Sequence, residues 1–170
     1  MFVWFLRPLR FLVQAFGSDD SPRQLALGLS LGMLIGLMPK DNLTVAALSL
    51  LLFATRVNLA TGALAAFVFS WVGVWTDPAA NRIGWYLLSL PALQGFWTTL
   101  ADLPIIPWTS FNNTVVLGSF VMGLWLWVPV YLAAMPLFVY LQPRVTARLR
   151  RFKVYQLLMG TELASHWRIG

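Results

Sequence analysis

The sequence predicts an all-α, polytopic integral membrane protein with a single membrane domain over residues 1–170. Of these residues 59% are hydrophobic and 11% are charged, whereas a typical soluble domain carries about 25% charged residues. Three stretches, 57–76, 83–101 and 103–143, contain no Asp, Glu, Lys or Arg, and each approaches or exceeds the roughly 20 apolar residues of a spanning helix. Membrane-spanning strands would alternate apolar and polar residues over about ten positions. No such alternation occurs, so helices are predicted.

The first segment, residues 1–17, is predicted to be an amphipathic helix at the membrane interface. Arg7, Arg10 and Gln14 follow one another at spacings of three and four residues, which places them on one face of a helix. A secretory signal peptide is disfavoured, because the arginines interrupt the apolar stretch and no small-residue cleavage site follows.

The segment 22–55 is predicted to form a broken helical hairpin, with its two short helices within 25–55. Ser21 and Pro22 have the residue types of a helix N-cap and of the first helical position. The two apolar runs that follow contain 14 and 13 residues, and at 1.5 Å per residue each reaches only about 20 Å. Since the hydrocarbon core is ~30 Å thick, the pattern fits either a hairpin of two short helices or one crossing that is broken in the middle.

Two longer spans are predicted farther along the chain, at 57–75 and 113–141. The first ends in tryptophans typical of the aromatic belt at a membrane interface, and "TDPAANR" follows it as a predicted polar turn. Prolines and glycines interrupt the apolar segment 83–108, so both a full crossing and a position on the membrane surface stay open. Asn112 and Asn113 are expected to begin the last helix, which is long enough to tilt or to kink at its prolines.

The basic residues predict that both termini lie on the cytoplasmic side of the membrane. Positive charges cluster near the start of the chain and again after the last span, and cytoplasmic segments carry such an excess. The number of crossings is therefore even. Either the 25–55 hairpin enters from the cytoplasm and two spans follow, or 25–55 crosses once in broken form and three more crossings follow. The first arrangement is preferred because it keeps Arg56 cytoplasmic.

The polar break between the two short helices is the first candidate functional feature. Proline ends a helix and Asp or Asn begins one, so two helix ends of opposite partial charge are predicted to meet at this turn. Interrupted helices of this kind form substrate sites in many transporters. The alternative is an aqueous turn whose lysine reaches the headgroups. The candidate residues are Pro39, Lys40, Asp41 and Asn42.

Small residues on two helix faces are predicted to be helix-packing positions. They recur every four residues, a spacing that lets helix backbones approach closely, and in the first helix they form a predicted glycine zipper. Whether the packing partner is this chain or another subunit stays open. The positions are Gly28, Gly32 and Gly36 in the first helix and Gly62, Ala66 and Ser70 in the next span.

A basic amphipathic helix is predicted at 144–160. Its arginines lie along one helical stripe and its apolar residues along another, as in helices that lie on an anionic membrane surface. This placement favours lipid headgroups over nucleic acid as the partner of a chain whose net charge is +6. The candidate headgroup ligands are Arg144, Arg148, Arg150, Arg151 and Lys153.

Enzymatic and cofactor functions are not expected. The chain has no cysteine and one histidine, His166, and its six acidic residues are scattered, so neither a metal site nor a pair of nucleophile and base is indicated. No phosphate-binding glycine loop is present. We therefore expect no metal, no cofactor and no catalytic residue.

The run "SPRQLALGLSLGMLIGLMPKDNLTVAALSLLLFATRVNLATGAL" resembles a family of small bacterial inner-membrane proteins whose domain has no assigned function. The matching features lie within 21–75: the Ser-Pro start, the glycine row, the glycine-to-proline turn, and the pair Arg56 and Asn58. Relatives commonly have an Asn-Pro pair near the end of the next span, where this chain has Asp77 and Pro78. The resemblance implies an all-helical inner-membrane protein of a Gram-negative bacterium. Members similar to it are encoded beside a larger envelope protein, which implies a partner-subunit role.

Two functions follow as hypotheses. The first is a non-enzymatic inner-membrane subunit that packs its glycine face against a larger membrane-anchored envelope protein, in lipid transport or envelope homeostasis. Alternatively, the glycine face packs against a second copy of this chain. The second hypothesis is a small oligomeric transporter or channel with a broken-helix site around Lys40 to Asn42, whose flux would depend on Lys40 and Asp41.

Overall fold

The computed structural model describes residues 20–149, with side chains as far as Ala147, and these residues form helices and connecting loops. The all-α class is thereby confirmed for this part of the chain. The interfacial helix predicted at 1–17 lies outside the described residues, and so does most of the basic helix predicted at 144–160. In chain order the α-helices are α1 (Pro22–Leu37), α2 (Leu43–Ala54), α3 (Leu59–Ser89), α4 (Gln94–Ala101) and α5 (Thr114–Leu149), with 3-10 helices at Pro91–Leu93 and Ile106–Thr109.

Helix α1 is the central helix of the bundle. The Ser21 hydroxyl accepts a hydrogen bond from the Gln24 backbone N–H at 3.4 Å, and the Gln24 side chain accepts one from the Ser21 backbone N–H at 2.8 Å, which is a capping box. Pro22 follows at the first helical turn, as predicted. Eleven of the sixteen residues of α1 are buried because both α3 and α5 pack against it. This surrounding explains why α1 is apolar on all sides.

The glycine row of α1 faces the backbone of α3 in the same chain. A Cβ atom built on Gly28 would lie 2.5 Å from the Asn58 carbonyl oxygen, and one on Gly32 would overlap the Gly62 carbonyl oxygen. A Cβ on Gly36 would also lie less than 3.0 Å from α3 atoms, closer than real Cβ contacts come. Only glycine permits this approach. The expectation that this face packs against a partner protein is therefore corrected, since α3 already covers it.

Helices α1 and α2 form a hairpin. Asn58, which follows α2, donates its backbone N–H to the Gln24 carbonyl at 3.2 Å, so the chain returns to the level at which α1 began. A single broken crossing would have separated these two residues by the whole length of both helices. Within α2 only Val45 and Leu52 are buried, and its outer face exposes leucines and Phe53.

Helix α3 is longer than the span predicted at 57–75. It runs unbroken through Pro78 and the polar stretch "TDPAANR", so the turn predicted there is wrong. Proline removes one backbone hydrogen bond from a helix interior. Packing against α5 nevertheless supports the part of α3 that follows Pro78. A Cβ on Gly84 would overlap the α5 backbone, and one on Gly118 of α5 would overlap the α3 backbone.

The apolar segment predicted at 83–108 is divided among several elements. Its first residues complete α3, and the rest forms α4 and the two 3-10 helices. Trp97 of α4 donates its indole N–H to the Leu87 carbonyl at 3.0 Å and stacks on Phe111 with ring centroids 5.9 Å apart. Helix α4 therefore folds back beside the end of α3, and with eight residues it is too short to cross a bilayer.

Helix α5 runs antiparallel to α1 and α3. Its first turn lies beside the end of α3, and near its other end Gln142 donates a side-chain N–H to the Asp20 carbonyl at 2.7 Å. The Asn113 side chain accepts from the Val115 N–H at 2.9 Å, as predicted for the start of this helix. The helix continues through its three prolines, beyond the end predicted at 141. Helices α3 and α5 are long and apolar enough to cross a membrane.

We expect Gly32→Ala to lower the free energy of unfolding by about 1–3 kcal/mol, because the added methyl group collides with the α3 backbone. Gly95→Ala is the matched control: no atom lies within 4 Å of a Cβ at this helical position, and alanine favours helix over glycine by about 0.8–1.0 kcal/mol. Thermal unfolding of the purified proteins in detergent, followed by circular dichroism, measures both. Equal shifts for the two variants would contradict close backbone packing at Gly32.

Candidate functional site

Lys40 caps the C-terminal end of α1. Its Nζ donates to the carbonyl oxygens of Ile35 at 2.7 Å, Gly36 at 2.9 Å and Met38 at 2.6 Å. The last carbonyls of a helix lack intrahelical donors, and a cation at this position also meets the negative end of the helix dipole. Partial burial lowers the pKa of Lys40 from its ordinary value. The three acceptors use all three protons of the charged ammonium, so none is left for a ligand.

Asn42 caps the start of α2. Its Oδ1 accepts from the Val45 backbone N–H at 2.9 Å, and its Nδ2 donates to the Pro39 carbonyl at 2.6 Å. The sequence leaves this cap open between Asp41 and Asn42; the structure assigns it to Asn42, which is buried, whereas Asp41 is exposed. Two of the predicted turn residues thus serve as helix caps, Lys40 at the end of α1 and Asn42 at the start of α2.

A cleft of about 230 Å³ lies between this turn and the middle of α3. Asp77 supplies the one carboxylate of its lining. Because Pro78 has no N–H to donate, the Val74 carbonyl beside the cleft loses its usual helical donor. These groups do not make a metal site, since no cluster of three His, Cys, Asp or Glu side chains occurs in the part of the chain that the structure describes.

The small residues predicted as packing positions in α3 lie on the side of that helix that faces α1. Gly62 lies opposite Gly28, and the Ala66 carbonyl oxygen would be 2.8 Å from a Cβ on Gly36. Ser70 lines the cleft, and its hydroxyl donates to the Ala66 carbonyl at 2.6 Å. Its polar group is therefore satisfied within α3.

A second polar cluster joins three helices at the opposite end of the bundle. The Asn58 Nδ2 donates to the Asp20 Oδ2 at 2.7 Å, and the Asn58 Oδ1 accepts from the Thr61 backbone N–H at 2.6 Å. Gln142 binds the Asp20 carbonyl from α5. Asn58 is only 4% exposed. This cluster, which we call the basal junction (Asp20, Asn58 and Gln142), fixes the ends of α1, α3 and α5 relative to one another.

The sequence does not predict the basal junction. Asn58 has the residue type of a position just before a helix, and its place beside a span indicates only an interface anchor. Gln142 gives no signal beyond its polarity at the end of an apolar run. The hairpin brings Asn58 to Asp20, and the antiparallel return of α5 adds Gln142, across 122 positions of the chain.

Arg144 is the one predicted headgroup residue whose side chain is described. Its Nη1 donates to the Tyr140 carbonyl at 2.7 Å, and its guanidinium carbon lies 3.4 Å from the Tyr140 ring centroid, a cation–π contact. The side chain lies at the same end of the bundle as the basal junction. The side chain of Arg148 and the residues Arg150, Arg151 and Lys153 lie outside the described part of the chain.

The described chain is thus an all-helical protein in which two helices are long and apolar enough to cross a membrane. The chain belongs to the family described as uncharacterized proteins conserved in bacteria (DUF2062), whose model matches residues 6–146, and the family resemblance is thereby confirmed. An uncharacterized protein of Treponema pallidum (strain Nichols) is 28% identical over 129 residues, which cover 76% of this chain and 80% of that protein. No solved structure matches the chain. Neither description states an activity.

Lys40→Met should lower the free energy of unfolding by about 1 kcal/mol, because the carbonyls at the end of α1 lose their donor while the apolar stem is kept. Water replaces part of the loss, since the turn is accessible. Asp41→Asn, which changes the neighbouring charge without removing a cap, should have an effect below about 0.5 kcal/mol. Thermal unfolding and amide hydrogen exchange over 35–38 measure the two; equal effects would contradict the capping role.

Asn58→Asp should destabilise the protein by about 1–3 kcal/mol, because it replaces the donor to Asp20 with a second carboxylate. Adding Asp20→Asn should restore most of the loss, since the amide then donates from the other side while the carboxylate introduced at position 58 still accepts from Thr61. A double-mutant cycle measures this coupling: chemical unfolding is followed for Asn58→Asp, for Asp20→Asn and for the double variant. Additive losses in the double variant would refute a direct contact between the two side chains.

Proposed function

We propose that this chain is a non-enzymatic subunit of the bacterial inner membrane that binds a larger envelope protein, in lipid transport or envelope homeostasis. The observation that supports it is a set of apolar and aromatic side chains exposed at the end of α3 and along the connection to α5, which we call the distal patch. Their exposed fractions are 55–75%, and the set is Trp85, Tyr86, Phe96, Ile105 and Trp108.

The charged residues support a placement of the bundle in the membrane. The basal junction lies at one end together with Arg56 and Arg144, while the turn at 39–42 and Asp77 lie at the other. Between Asn58 and Asp77 there are 19 steps of chain (77 − 58), about 28 Å of helix, which matches a hydrocarbon core of ~30 Å. We place the basic end in the cytoplasm.

In this placement the distal patch lies at or beyond the second membrane surface. Tryptophans near that surface are common as interface anchors, but the patch also contains Phe96 and Ile105 and is carried partly by short elements outside the two long helices. Exposed apolar patches of this kind mark interaction sites. The glycine face of α1 is covered by α3, so the distal patch is the surface that we assign to the partner.

The transporter or channel hypothesis has less support. Its site would consist of Lys40, Asp41 and Asn42, but the polar groups of Lys40 and Asn42 are used in helix caps. In the placement above, this turn lies near a membrane surface, whereas the interrupted helices of transporters bind substrate near the midplane.

Purification of the tagged full-length chain in mild detergent, followed by mass measurement, tests the proposal. We expect a stoichiometric larger partner, and we expect the double variant Trp85→Ala, Trp108→Ala to lose it by ~10-fold or more, because buried tryptophans dominate interface energetics. The double variant Trp71→Ala, Trp125→Ala removes tryptophans that are 67% and 83% exposed along the lipid-facing middle, and it should keep the partner. A self-oligomer alone, or equal losses in both variants, would refute the proposal.

A further inference from the structure

A groove of about 570 Å³ runs between α1, α2 and α5. Leu27, Leu31 and Leu34 form the wall on α1, at successive turns of that helix, and Leu48 and Leu51 form the wall on α2. The stretch from Leu27 to Leu34 alone gives it a length of about 10 Å. The volume falls within the range of small-molecule sites, roughly 300–1,000 Å³, and the long apolar walls suit a hydrocarbon chain.

Arg56 lines one end of this groove, in the short loop between α2 and α3. The side chain is exposed, and no other described residue accepts a hydrogen bond from it or pairs with its charge. A guanidinium presents several donors in a planar fork that fits phosphate oxygens. The groove therefore combines apolar walls with a cation at one end that has no partner among the described residues.

Trp127 of α5 also lines the groove. Its indole Nε1–H is buried and has no acceptor among the described residues. Most buried polar groups in proteins are hydrogen-bonded, so the environment of Trp127 lacks an acceptor that a bound molecule would supply. A bound molecule that carries a hydrogen-bond acceptor as well as apolar length would supply the missing partner.

We propose that the groove binds one acyl chain of an anionic phospholipid, with Arg56 on the phosphate and the Trp127 N–H donating to an ester carbonyl. Such a lipid carries all three required groups in one molecule. A transmembrane helix of a partner would also fill the apolar walls, but its backbone groups are already paired within the helix, so its backbone could not accept from Trp127 or Arg56. The proposal does not depend on a partner at the distal patch.

Lipid binding by the detergent-solubilised full-length chain tests whether the positive charge of Arg56 contributes to the affinity. Native mass spectrometry should show tighter binding of phosphatidylglycerol than of phosphatidylcholine with the same acyl chains. Arg56→Gln should weaken the binding of phosphatidylglycerol about tenfold and that of phosphatidylcholine less, because choline offsets the charge of the same phosphate group. Arg82→Gln removes an equal charge from an exposed position in the distal half of α3 and should behave as wild type. Equal affinity for the two lipids, or equal losses in the two variants, would overturn the proposal.

Photocrosslinking tests whether the acyl chain lies in the groove. Phosphatidylglycerol with a diazirine in its acyl chain should label the leucines that wall the groove, as mapped by peptide mass spectrometry. Trp127→Phe keeps an aromatic ring, removes the donor, and should weaken binding about threefold at an unchanged unfolding midpoint. Labels confined to the outer face of α3 or to the basic residues after 147 would overturn the proposal, and so would a partner protein crosslinked at Leu48 or Leu51 in place of lipid. Retention of the partner by the distal patch is read separately, from copurification.

Discussion

The direct contact between the backbones of α1 and α3 is the constraint on which the rest of this structure depends. Because Gly28, Gly32 and Gly36 leave no side chain between the two helices, α1 lies along α3 over its full length, and α5 closes the remaining side. A helix of sixteen residues is too short to hold a position in a bilayer by length alone. Here its position is fixed by packing, and both of its ends are fixed with it.

Each end of α1 then needs polar partners. Helix ends carry unpaired backbone groups, and these groups need partners from the rest of the chain wherever they are buried away from water. The chain supplies Gln24 at one end and Lys40 at the other, and Asn42 and Asn58 start the helices that follow. The charge in the turn is thus explained by a structural need. Arg56 and the Trp127 N–H have no such capping role among the described residues, so they carry the functional inference.

Local features of this fold could be predicted from the sequence, and long-range ones could not. The helix start at Ser21 and the close-packing glycine face follow from residue types at fixed spacing. The turn predicted around Pro78 was wrong because proline acts locally, whereas contacts of Gly84 and Gly118 with the opposite helix support α3 there. The contact of Gln142 in the basal junction and the buried Trp127 N–H without an acceptor both depend on how α5 packs along the bundle. No local sequence pattern encodes that packing.

The groove is a consequence of the direction in which α1 and α3 run. Successive glycines of α1 meet successive residues of α3, so the two helices are parallel, and the chain must return the length of α1 before α3 can begin. That return is α2, a helix whose backbone hydrogen bonds are made within the segment itself. Since α3 and α5 already cover α1, α2 must lie outside, where it buries only two residues. A return helix packed so lightly leaves open space beneath it, and its last residues place Arg56 at the mouth of that space.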